Sequence, residues 1–409
     1  MLTDAPLSAL DKSLPAAADG LTAAAFLATR PRLSSFATPL LVLASATLDA
    51  NIARMAAWCA ERGVGLAPHG KTTMAPSLWD RQLRAGAWGI TVATPGQLRV
   101  ALAAGVRRIQ LANALVDPVG IADVSRALDA DPDLEVLSWA DSPSTVTVMN
   151  AVLDSLAPRR ALTVLVELGA PGRRTGARDR RTAVAVGEAV RASPYVQLGG
   201  VAGYEGALAH DAFPAALDAV RGYLRDLAGL HRDLGLGSGS VVTAGGSAYF
   251  DDVVDILRAG TSGHVLLRSG AYLVHDDGFY RGISPFARDG GAPFRSAMHA
   301  WCRVVSQPEP GLALLDAGKR DVPYDDGLPE PQLVADHLGG PTRPLAGEIT
   351  AVNDQHAFLR TTAPLRVGEV VRLGLSHPCT AFDKWRWIPM VADWSSPDPV
   401  VVDLVRTYF

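Results

Sequence analysis

Gly65-Leu-Ala-Pro-His-Gly-Lys-Thr72 joins a four-residue strand-type run to a histidine, a glycine and a lysine at its end. Short apolar runs of this kind recur downstream at Gly89–Ala93, Ile109–Ala112, Glu135–Trp139, Thr163–Glu167, Gly199–Gly203, Val241–Ala244 and His264–Leu267. The intervals between them are rich in Ala, Leu and Arg and long enough for one helix each. Eight strand–helix units in succession predict a parallel (β/α)8 barrel of the TIM type. Thr94-Pro95 marks one helix start, a capping hydroxyl followed by proline at the first helical position. In such a barrel the residues just after each strand gather on the C-terminal face, so Lys71 is predicted to lie there.

Outward from the barrel the texture changes. After about Ser284, proline and glycine rise and short β-type runs replace helices, at Ala300–Val305, Leu312–Asp316, Gly347–Val352, Ala357–Arg360 and Val370–Leu373. Pro39–Leu43, ahead of the first helix at Thr47–Arg62, is expected to supply a strand to this β domain. The predicted division is an N-terminal segment at 1–45, a barrel at 46–284 and a mostly-β domain at 285–409. Ala317–Thr342, with Asp321, Asp325 and Asp326, is predicted to be a long loop, and loops of that length are more often functional than idle.

Composition narrows the function classes. The chain has 409 residues, 38 basic against 42 acidic side chains and a net charge of −4, which argues against nucleic-acid or anionic-lipid partners. No apolar run approaches the roughly 20 residues of a membrane span. The opening residues carry Asp4, Asp11 and Asp19 and do not read as a signal peptide. Three cysteines, Cys59, Cys302 and Cys379, are no disulfide framework, and a reducing cytoplasm is the expected compartment.

Three clusters carry chemistry. Lys71 has no acidic residue near it in sequence, and a desolvated lysine suits Schiff-base formation, although salt bridges are the commoner use of such a residue. Thr243-Ala-Gly-Gly-Ser247 closes the seventh strand, where backbone amides and the Ser247 hydroxyl can hold a phosphate; alone it reads equally as a turn. A lysine and a phosphate site on one barrel face suggest pyridoxal phosphate. His377-Pro-Cys379 offers an imidazole and a thiolate to a zinc-like ion, or is a packed pair, with Asp383 and His356 as further candidate ligands.

Taken in order, Pro68-His-Gly-Lys71-Thr, Glu167-Leu-Gly-Ala-Pro-Gly-Arg-Arg174-Thr-Gly176, Gly203-Tyr204-Glu-Gly206, Ala244-Gly-Gly-Ser247 and His377-Pro-Cys379 resemble the D-serine dehydratase and D-threonine aldolase family. These are metal-dependent, alanine-racemase-like (fold type III) pyridoxal-phosphate enzymes. The resemblance runs from about Thr38 to the C-terminus. It implies that Lys71 carries the cofactor, that Gly245, Gly246 and Ser247 hold its phosphate, and that Tyr204 and Arg174 line its ring. Arg268 sits where alanine racemases place an arginine against the pyridine nitrogen, which leaves two arginines for that role. The metal pair is His377 and Cys379, for zinc or else manganese or magnesium. The sequence departs from its relatives at Thr73, where a histidine often stands. The tail Thr380–Trp385 is closer to bacterial amino-acid deaminases.

The resemblance further implies a homodimer and a lyase acting on 3-hydroxy D-amino acids. Dehydration to a 2-oxo acid and ammonia is the first expectation and aldol cleavage to glycine and an aldehyde the second. A non-catalytic carrier of pyridoxal phosphate is a third, although the small carriers lack a β domain. Asp321 and Tyr324, in the loop from Asp316 to Pro331, are candidates for shaping the substrate pocket.

Overall fold

The computed structural model describes residues 5–409. Strand β1 (Leu40–Ala44) is followed by the eight predicted strands: β2 (Gly65–Leu66), β3 (Ile90–Val92), β4 (Arg108–Ala114), β5 (Glu135–Ala140), β6 (Leu162–Leu168), β7 (Val196–Gly203), β8 (Val241–Ala244) and β9 (His264–Leu267). They form one parallel sheet in the order β2-β9-β8-β7-β6-β5-β4-β3. An isolated parallel bridge from His69 to Thr91, with Thr91 N–H donating to the Pro68 carbonyl, brings the two ends of that order together. The helix after β3 starts where the sequence predicts. Thr94 Oγ1 accepts from Gln97 N–H at 3.2 Å, and Asp117 and Ser142 cap the helices at Pro118 and Pro143 in the same way.

A second sheet is antiparallel apart from one pairing. It contains β10 (Met298–Glu309), β11 (Leu312–Leu315), β12 (Glu330–Ala335), β13 (Arg343–Pro344), β14 (Glu348–Val352), β15 (Ala357–Arg360), β16 (Val370–Gly374), β17 (Trp387–Val391) and β18 (Val401–Arg406). As expected, β1 joins it, running antiparallel to β10 and parallel to β17. Two apolar cores cover its faces. Leu373, Leu375, Ala300 and Cys302 pack into one, together with Phe382; Trp301, Val370 and Leu40 pack into the other with Phe26, Leu33 and Phe36 of the N-terminal segment.

The reading of 317–342 as one long loop is corrected by β12, which lies inside it and pairs with β16. Proline at 331 hides the strand from a sequence reading, and the pairing tolerates it through a register shift between Pro331 and Leu333. The chain folds into two compact units: a barrel unit, Met55–Lys71 with Gln82–Gly270, and a β unit made of the residues up to Arg54, Thr72–Arg81 and Ala271–Phe409. Among the described residues no helix is long and apolar enough to cross a membrane.

Candidate active site

In the barrel unit the predicted site residues follow the strand ends. Lys71 lies in a single 3-10 turn, Gly70–Thr72, beyond β2. Burial, and then the positive charges of Lys71, Arg268 and Arg174 in that order, hold the His69 imidazole well below its ordinary pKa. The three cations therefore share one neighbourhood, as the motifs imply. Arg268, just after β9, is buried; its Nη1 donates to Thr243 Oγ1 at 2.7 Å and its Nη2 to the Gly203 carbonyl at 2.5 Å. Its guanidinium also stands 5.0 Å from the centroid of the Trp139 ring. Arg174 is exposed and lies over the Tyr204 ring at 4.5 Å. Of the two arginines, Arg268 is thus fixed by the barrel backbone and Arg174 rests on a side chain.

The glycine turn after β8 holds a residue that sequence reasoning passed over. Glu205, fully buried, accepts from Gly245 N–H at 2.9 Å and from Gly246 N–H at 2.7 Å. Both amides expected to face a phosphate are thereby committed to a carboxylate. The cradle reading then rests on the turn beyond them, Ser247–Tyr249, which leads into the helix Phe250–Gly260. Glycine is still required at 245, where φ is +98°, and at 246, where a Cβ would come within 3.1 Å of the Tyr204 ring. Glu205 was visible in the Gly203–Gly206 motif, but nothing in the sequence says that its side chain turns inward.

Buried polar atoms without partners test whether a cofactor fits here. His69 Nδ1, Trp139 Nε1 and Glu167 Oε2 are all of this kind, and all lie near the C-terminal ends of their strands. Buried groups of this sort are normally hydrogen-bonded. With three cations beside them, they suit an anionic, hydrogen-bonding guest, which fits pyridoxal phosphate.

In the β unit, His377 stands in the turn between β16 and the short helix Cys379–Phe382, with φ of +31°. A non-glycine residue in that region is strained, a state that concentrates at functional sites. Its Nδ1 is 2.6 Å from Asp325 Oδ2 and 3.1 Å from Asp326 Oδ2, and Thr380 Oγ1 donates to Asp325 at 2.7 Å. Burial opposes charge on His377, but Cys379 and Asp325 beside it outweigh that and raise its pKa to about 9. Imidazole, thiol and carboxylates together form a donor set that fits a divalent ion. Asp325 and Asp326 are the carboxylates that gather beside His377, whereas Asp383 and His356 are exposed and do not join the group.

Cys379 Sγ lies 3.2 Å from the hydroxyl of Thr72, the residue that follows Lys71 in the chain. The other two thiols are buried core residues, and burial pushes Cys59 up to about 12. Asp321 is buried and serves the loop internally: it accepts from Gly318 N–H and from Lys12 Nζ, at 3.0 and 2.9 Å. Tyr324 is exposed.

Residues 297–391 match the family model "Putative serine dehydratase domain". Over 378 residues the chain is 27% identical to a D-threonine aldolase of an Arthrobacter species, covering 87% of this chain and 89% of the relative. Its fold is that of the D-threonine aldolase from Filomicrobium marinum, with TM-score 0.77, 22% identity and 92% and 96% of the two chains covered. The D-threo-3-hydroxyaspartate dehydratase from Delftia sp. HT23 aligns with TM-score 0.74, 23% identity and coverage of 92% and 99%. Structures of D-threo-3-hydroxyaspartate dehydratase variants replace a histidine in one case and, in the other, a cysteine numbered two higher, the latter in the metal-free form.

Proposed function

We propose that the protein is a pyridoxal-phosphate- and divalent-metal-dependent lyase that dehydrates 3-hydroxy D-amino acids to a 2-oxo acid and ammonia. The observation that carries this reading is the contact between Thr72 and Cys379, which ties the residue after the lysine to the metal pair. Support for dehydration comes from the match to the serine dehydratase family model and from the His-x-Cys spacing shared with the dehydratase variants. Aldol cleavage is the second reading, favoured by the name of the Arthrobacter relative.

Lys71 would hold the cofactor, with Arg268, Arg174 and Tyr204 about its ring and Ser247 toward its phosphate. Pyridoxal phosphate, when bound, supplies an electron sink for charge developing at the α-carbon. The Lys71 amine would take the α-proton. His377 and Cys379 would hold the metal, whose Lewis acidity assists departure of the 3-hydroxyl. Asp325 orients His377 through Nδ1, as carboxylates commonly do for liganding histidines. Loss of water leaves an enamine, and hydrolysis of its imine tautomer gives the 2-oxo acid and ammonia.

Incubation with D-serine, D-threonine and D-threo-3-hydroxyaspartate, with 2-oxo acid, ammonia and glycine assayed separately, tests the reading. Equal yields of 2-oxo acid and ammonia are expected; glycine and an aldehyde without ammonia would establish the aldolase instead. A homodimer in the cytoplasm completes the proposal, and light scattering of the purified protein checks the dimer.

A further inference from the structure

On the face of the β-unit sheet opposite Phe382, polar side chains and two indoles pack together without satisfying one another. Strand alternation defines the face: Leu373 and Leu375 enter the core that holds Phe382, whereas Trp301 enters the other, so Arg372, Gly374 and His299 lie on the Trp301 side. His299 is paired across the sheet with Gly374, and Trp301 with Arg372. Gly374 lets two of these side chains approach the sheet closely: the place of a Cβ is filled by Gln332 Nε2 and Asp277 Oδ2, which it would meet at 2.3 and 2.8 Å. Trp394 covers the group, with ring centroids 5.9 Å from His299 and 6.4 Å from Trp301, and with the Arg372 guanidinium 5.9 Å from its ring.

The unmet demands are chemically specific. Arg372 Nε, Trp301 Nε1 and Trp394 Nε1 are buried donors without acceptors. Asp277 Oδ2, Gln332 Oε1 and His299 Nδ1 are buried without partners and can accept. His299 and Trp301 are only 7% and 4% exposed, so bulk water does not satisfy them. No carboxylate lies within ion-pair distance of Arg372 among the described residues. Asp277 is hydrogen-bonded by the Ser296 and Gln332 side chains, and its Oδ2 lies 3.6 Å from His299 Nε2, too long for a hydrogen bond. Burial and the Arg372 charge depress His299 to about 3, which keeps it neutral and able to accept at Nδ1. At the rim Arg281 and Glu330 pair with each other at 2.8 Å. A half-buried guanidinium and a carboxylate, close but not joined, are both costly as they stand.

We infer that this cluster is a second ligand site, separate from the metal pair, for a free α-amino acid bound as its zwitterion. Arg372 and the two indole N–H groups face the ligand carboxylate, and Asp277, Gln332 and His299 Nδ1 face its ammonium group. Neither an anion nor a cation alone meets both halves of the demand.

Glycine carries both charges and no side chain, whereas acetate and methylamine carry one each. Each is titrated into the purified protein, with tryptophan fluorescence as the readout because Trp301 and Trp394 line the site. A saturable response to glycine is expected where acetate and methylamine give none. Arg372→Met and Asp277→Asn should each weaken it roughly tenfold or more, the order expected for a hydrogen bond to a charged group. Arg372→Lys, which keeps the charge and loses the planar fork, should weaken it as well and guards against a misfolded methionine variant. Absence of a glycine response, an equal response to acetate, or a response that survives all three substitutions would overturn the inference. The last outcome would assign glycine binding to the cofactor site, and the first would leave the cluster to ordered water.

Discussion

Two carboxylates near the candidate site are held in opposite ways. Glu205 in the barrel is wholly buried, and each of its oxygens accepts from a backbone amide that cannot move away. Asp325 in the β unit is 42% exposed at its side chain and is bound to His377 and Thr380, two side chains that can exchange it for another partner. Glu205 and Arg268 in the barrel are charges locked to the main chain, and Asp325 in the β unit is a charge that remains available. A cofactor held for many turnovers suits the first arrangement, and an ion that can be loaded and chelated suits the second.

The largest test of this contrast is Lys71→Ala. It is expected to abolish the visible absorbance of bound cofactor and to lower turnover about a thousandfold or more, with metal content, measured by atomic absorption, unchanged. Parallel loss of metal would show that the two halves are not independent. Glu205→Ala should follow, costing about 2–4 kcal/mol in urea unfolding because two buried amides lose their acceptor; Glu205→Gln should cost less. If Glu205→Ala unfolds like the wild type, those amides are not locked. Asp325→Asn is expected to weaken metal binding about 10–100-fold in a chelator competition while leaving the absorbance intact, the usual scale for a partner behind a liganding histidine.

A pH dependence is expected from Asp276 in the β unit. Asp276 is buried, and burial raises its pKa from 3.8 to about 6 against the backbone N–H groups of Arg281, Gly278 and Tyr280 that favour its charge. The folded protein therefore holds this proton more tightly than the unfolded chain. Stability from this group is full below the unfolded value of 3.8 and falls as the pH climbs to about 6, by about 3 kcal/mol. Asp276→Asn should flatten the stability profile in that window, as read by thermal unfolding across it.

The barrel was legible because each strand is a short apolar run and helices begin at a cap followed by proline; β8 and β9 agree with their predicted limits. Strands β12 and β17 escaped because each carries a proline, at 331 and 389, which a local pattern reads as a break. At the site, Lys71, His377 and Cys379 stood out by type and spacing. Asp325 was noticed only as part of an acidic loop, since its approach to His377 spans 52 positions of chain. Glu205 was the hardest to foresee, because a glutamate between tyrosine and glycine reads as solvent-facing until the turn after β8 is seen to close on it.

The boundary between the two units at Lys71 and Thr72 bears on how such a protein can be taken apart. The chain leaves the β unit after Arg54, returns to it at Thr72, leaves again after Arg81 and re-enters at Ala271. No pair of cuts yields either half as an unbroken polypeptide. A fragment ending before Ala271 would keep β1 without β10 and β17, and a fragment beginning there would lack Thr72 as a neighbour for Cys379. Exchange of this β unit between related enzymes therefore requires transferring three separate segments together.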